Sequence, residues 1–133
     1  MGRQAFWQSV GYAIAGLTFA LRTQRNLRWH LVAACAVLTV SRWLGLGRVE
    51  LALLVVVIGL VLCAEVLNTA VELTIDMIKA TEHPVARLVK DVSAAAVLVT
   101  VFMALAIGWL LILPHLSALR QQGGMAQGGM ASR

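Results

Sequence analysis

Charge is scarce in this sequence. Only 13% of its 133 residues are Asp, Glu, Lys or Arg, against 60% hydrophobic ones, where soluble domains average about 45–50% apolar. That balance excludes a soluble globular domain. It leaves a membrane protein with room for about three spanning helices of ~20 residues and no separate soluble domain. The net charge of +5 is too thinly spread for a nucleic-acid surface and reads as membrane orientation. Proline is equally rare: Pro84 and Pro114 are the only two, and each reads as a helix boundary. The two cysteines, Cys35 and Cys63, lie in apolar spans without metal-ligand spacing and read as small buried residues. Residues 3–22 do not read as a signal peptide, because Gln4, Gln8, Ser9 and Tyr12 interrupt the apolar run and no small-residue cleavage site follows before Arg22. There is no Gly-rich phosphate loop either, so any nucleotide site must be assembled differently.

What the chain does have is one acidic stripe. An apolar run from Leu51 to Ala64 continues into EVLNTAVELTID, which carries Glu65, Asn68, Glu72 and Asp76. At roughly 100° per residue these four fall within a stripe roughly 80° wide, while Val66, Leu67, Val71, Leu73 and Ile75 occupy the other faces. Such a helix leaves lipid on one side only. Three carboxylates on one face repel each other unless a metal ion, a proton or a basic partner sits between them.

The remaining segments supply the setting. Phe6, Val10, Ile14, Leu17 and Leu21 recur at helical spacing, predicting a helix in the membrane interface. The basic segment TQRNLRWH leads into a short span, 31–47, with Trp29 and Trp43 near its ends. A second span starts near Val49 and can run to about Lys79, roughly 46 Å at 1.5 Å per residue, so its acidic end protrudes from a hydrocarbon core of about 30 Å. TEHP, residues 81–84, breaks the helix, and the third span returns from Pro84 to Pro114. Residues 1–120 form one membrane domain in this reading, and the Gly-rich residues 121–133 are an unstructured tail. Arg3, Arg22, Arg25, Arg28, Lys79, Arg87 and Lys90 fall on one side of the membrane; Arg42, Arg48, Arg120 and Arg133 fall on the other. The positive-inside rule puts the first set, the N-terminus and the acidic stripe in the cytoplasm, on the side that holds ATP.

Carboxylates near the bilayer point to function. Glu65, nearest the lipid, suits a general base acting on a group presented from the bilayer. Glu72 and Asp76 suit a divalent cation, with Asn68 hydrogen-bonded between them. Lys90, returning on the next helix beside Asp91, suits polyphosphate oxygens. Together they fit phosphoryl transfer, which rests on positioning and charge neutralisation. Two other readings stay open: a non-catalytic membrane bundle that binds a cation or a partner, and a proton or ion carrier using Glu65. His30 reads equally as an interfacial histidine or a contact, His115 as a helix end, and Ser93 as packing or a substrate contact.

EVLNTAVELTID, followed fourteen residues later by KDVSAAAVL, resembles the signature of the prokaryotic diacylglycerol kinase family, which includes the undecaprenol kinases of Gram-positive bacteria. GYAIAGL and RTQRNLRWH resemble it too, and the likeness covers roughly residues 5–116. It implies an all-α integral membrane protein, with an amphipathic surface helix and three transmembrane helices, assembled as a homotrimer with shared active sites. It also implies Mg²⁺-dependent transfer of the ATP γ-phosphate to a lipid hydroxyl, diacylglycerol or undecaprenol, at the bacterial cytoplasmic membrane. By resemblance Glu65 is the catalytic base and a substrate contact, Glu72 the metal-binding acid, and Ser93 a substrate neighbour. Tyr12, Asn68, Glu72, Thr81, Glu82, His83, Lys90 and Asp91 match nucleotide contacts. The sequence departs from the pattern at Gln24, where the family often has a second metal carboxylate, and at Ala5, where some members have an arginine. TAVE and RNLRWH lean towards the undecaprenol kinase branch.

Overall fold

The computed structural model describes residues 3–78 and 83–130, with side chains over 4–78 and 83–121. Four helices follow one another: α1 (Arg3–Thr23), α2 (Arg25–Trp43), α3 (Arg48–Met77) and α4 (Pro84–Met130). The breaks fall where the backbone chemistry asks for them. Gln24 turns extended between α1 and α2, at φ −93° and ψ 112°. Gly45 takes the left-handed conformation at φ 79° beyond the end of α2, a geometry that only glycine adopts freely. Glu50 then reaches back to accept the Gly47 N–H at 2.6 Å, satisfying a donor that the start of α3 leaves over.

α3 and α4 form an antiparallel hairpin, and α2 packs against α3. At the α2–α3 turn, Leu44, Leu46 and Leu54 make a small core with Leu111 and Ile112 of α4. Ala20, Leu27 and Ala86 are buried towards the opposite end. Between those ends most large apolar side chains of α3 and α4 face outward, among them Val55, Leu60, Leu98 and Phe102. Cys35 and Cys63 are exposed on the chain surface, contrary to their reading as buried residues, because so few helix faces meet within one chain.

α3 matches the long second span expected from the sequence, and α4 begins at Pro84 as expected. Pro114 is not a boundary: it lies inside α4. A proline there removes one donor from the ladder, whereas ending the helix would strand several polar groups in an apolar segment. The backbone is helical to Met130, although the sequence suggests an unstructured tail from 121 and the four glycines among residues 121–130 are poor helix formers. Among the described residues, two helices are long and apolar enough to cross a membrane, Arg48–Met77 and Pro84–Gln121. The 19-residue α2, with Arg25, Arg28 and Arg42, is not one of them.

Candidate active site

The polar stripe of α3 changes character along its length. Glu65 is 4% exposed, Asn68 and Glu72 are half-buried, and the side chain of Asp76 is 52% exposed. Along the helix the carboxylates thus pass from buried to exposed.

Each stripe residue meets its own partner. His30 of α2 places Nε2 3.0 Å from Oε1 of Glu65. One turn on, the Thr69 hydroxyl donates to the Glu65 carbonyl at 2.9 Å. The Asn68 amide donates through Nδ2 to Oε1 of Glu72 at 3.0 Å and accepts the Ser93 hydroxyl at Oδ1, 2.6 Å away. Lys90 of α4 pairs with Asp76 of α3. One face of the hairpin therefore collects Glu65, Asn68, Glu72, Asp76, Lys90 and Ser93, with His30 added from α2. Asn68 does not bridge Glu72 to Asp76, as expected from the sequence. It bridges Glu72 to Ser93, because its amide can satisfy a hydroxyl on one side and a carboxylate on the other.

The other sequence candidates are more dispersed. His83 opens α4, and its Nδ1 accepts the Val85 N–H at 3.2 Å, so that nitrogen caps the helix. Asp91 is exposed on α4. Thr81 and Glu82 lie outside the described residues. Tyr12 is 76% exposed on α1, and Gln24, half-buried at the α1–α2 break, makes no side-chain capping bond. Neither is joined to the stripe by a hydrogen bond among the described residues. Among those residues, no three His, Cys, Asp or Glu side chains come close enough together to hold a metal by themselves. His115, read as a helix end, lies within α4 and faces Glu50 across the hairpin at 3.5 Å.

An apolar groove of about 440 Å³ runs between α2, α3 and α4. It is lined by residues such as Val57, Val61, Leu105 and Leu113. His30 stands at one end, and it is also the partner of Glu65. Glu65 itself does not line the groove; it meets the groove only through its contact with His30. The size of the groove suits one elongated apolar group.

Comparison with known proteins shows the family. Residues 11–113 match the family described as prokaryotic diacylglycerol kinase. The undecaprenol kinase of Bacillus subtilis (strain 168) is 39% identical over 111 residues, which cover 84% of this chain and 90% of that relative. The diacylglycerol kinase of Synechocystis is 38% identical over 112 residues, 84% of this chain and 64% of the relative. That of Escherichia coli (strain K12) is 30% identical over 106 residues, 80% and 86% of the two chains. A match across most of the chain, from α1 into α4, makes this protein a member of the prokaryotic diacylglycerol kinase family of lipid kinases.

Proposed function

We propose that the chain transfers the γ-phosphate of ATP to the hydroxyl of a membrane lipid, with Glu65 as the base. The observation that carries this reading is the position of Glu65, buried and bonded to His30 of the apolar groove's wall while the stripe becomes more exposed towards Asp76. A lipid lying in the groove presents its hydroxyl to the carboxylate. Glu65 takes that proton as the lipid oxygen attacks the γ-phosphorus. The bond to the β,γ-bridging oxygen breaks and ADP leaves. Lys90, paired with Asp76, and Asn68 stand on the stripe where the polyphosphate would lie, Asp91 is exposed next to Lys90 in sequence, and His83 stands at the start of α4. Relatives named undecaprenol kinase and diacylglycerol kinase match at 39% and 38% identity, so both lipids are offered as acceptors, with TAVE and RNLRWH leaning towards undecaprenol.

The residues present fit a magnesium ion delivered with the nucleotide. Glu72 spends one oxygen on Asn68 and keeps the other, and Mg²⁺ is commonly held by one or two carboxylates plus substrate phosphates. Bound there, Mg²⁺ would neutralise charge on the phosphate oxygens. Gln24 is the candidate for a neutral second ligand.

In the same reading α2 crosses the bilayer, since 19 residues span about 28 Å. α1 lies in the interface with Phe6, Trp7 and Ile14 towards lipid, and the N-terminus and site face the cytoplasm. The outward apolar side chains of α3 and α4 support a homotrimer in which α1 serves a neighbour's site. The test is phosphate incorporation from radiolabelled ATP by detergent-solubilised protein offered undecaprenol and diacylglycerol side by side. Incorporation into neither would overturn the reading and favour a non-catalytic bundle.

A further inference from the structure

The residue that holds Glu65 comes from another helix and has no part in the reaction as written above. The Glu65 side chain is 5% exposed, and Nε2 of His30 lies 3.0 Å from its Oε1. A carboxylate only accepts, so the imidazole nitrogen facing it carries the proton and donates. His30 also lines the apolar groove, and its own side chain is 29% exposed. Among the described residues, the one ionisable side chain on the wall of the groove is thus the one bonded to the buried acid.

Resting on the lipid-kinase reading, we propose that His30 is a positioning residue for the base. Its Nε2–H fixes Oε1 of Glu65, which leaves Oε2 as the free, oriented lone pair for the lipid hydroxyl at the head of the groove. A carboxylate has two oxygens and a rotatable axis. Without a donor on one of them, the side chain turns between orientations, and only some of these face the groove. The Thr69 hydroxyl cannot replace His30, because it donates to the Glu65 backbone carbonyl and not to the carboxylate. Holding a base in a reactive geometry is worth a large factor in rate, and a displacement of about 1 Å can cost about 10²-fold.

The experiment compares His30→Leu and His30→Gln with wild type, each checked by thermal melting and gel filtration in detergent. Gln places an amide N–H where Nε2 was; Leu keeps bulk and removes the donor. We expect His30→Leu to lose about 10–100-fold in kcat with little change in the lipid KM, and His30→Gln to recover most of that loss. In a Glu65→Gln background, His30→Leu should add no further loss, because groups that act as a unit are non-additive. Multiplying losses in the double variant, a wild-type kcat in folded His30→Leu, or equal inactivity of folded Leu and Gln variants would each overturn the proposal. Should His30→Leu fail to fold, His30→Asn, whose amide falls short of the carboxylate, takes its place with the same expected loss. An inactive wild type would instead sink the kinase reading on which the proposal rests.

Discussion

Glu65 and Glu72 lie seven positions apart on one helix and face quite different surroundings. Glu65 is buried against His30, and Glu72 is half-exposed beside Asn68. A base that acts on lipid and an acid that meets a metal–nucleotide complex need that difference. Glu65→Gln is nearly isosteric and removes basicity alone, so turnover should fall by about 10²–10⁴-fold while folding is kept. A radiolabel assay showing more than half the wild-type rate would refute the base assignment. Gln24→Glu tests the metal side. If Gln24 faces Glu72 in the assembled protein, the added charge should lower the melting temperature without nucleotide or metal, through like-charge repulsion, and Mg²⁺ should restore it by mass action. Melts of both proteins across a Mg²⁺ titration decide, and identical responses would remove Gln24 from the site. The stripe itself was legible in the sequence because 3.6-residue periodicity sets positions within a helix. Its partners His30 and Ser93 were not, since their meeting depends on how α2 and α4 cross α3, which no single helix encodes.

At the scale of elements, the α3–α4 hairpin is fastened at both ends. Lys90–Asp76 and Ser93–Asn68 join it near the site. Glu50 ties the other end, accepting the Gly47 N–H and facing His115. Glu50→Ala removes that cap and should lower stability by about 1 kcal/mol, read as a drop of several degrees in the melt; Glu50→Gln should lose less because it keeps an acceptor. An unchanged melt for Glu50→Ala would show that the tie carries no stability. The start of α4 was readable because proline suits a first helical turn. Its passage through Pro114 was not, because the cost of one missing donor has to be weighed against stranded polar groups in an apolar setting. Orientation is a property of the hairpin as well. In a background with Cys35 and Cys63 replaced, since both are exposed, Arg87→Cys should be labelled from the cytoplasm only and Arg48→Cys from outside only. The reverse pattern would move the stripe away from ATP and overturn the charge argument.

For the whole molecule, the division between what one chain assembles and what it does not is itself informative. α2, α3 and α4 of a single chain bring together His30, Glu65, Asn68, Glu72, Asp76, Lys90 and Ser93. Tyr12, on α1, stays 76% exposed. If each site draws its α1 residues from a neighbouring copy, two inactive variants should complement each other only when their lesions lie on opposite sides of that division. Tyr12→Leu and Glu65→Gln chains, each inactive alone, should regain activity when dissociated, mixed in equal amounts and reassembled. In random assortment roughly one site in four joins an intact Glu65 to an intact Tyr12 from the neighbour, so about a quarter of the wild-type rate is expected. Glu65→Gln mixed with Glu72→Gln should recover nothing, because both lesions fall in the part that one chain builds for itself. Recovery in that second mixture would show that α3 residues are pooled between copies. No recovery in the first, with mixed assemblies verified by affinity tags on the two variants, would mean that α1 folds back onto its own chain's site and that the copies work independently.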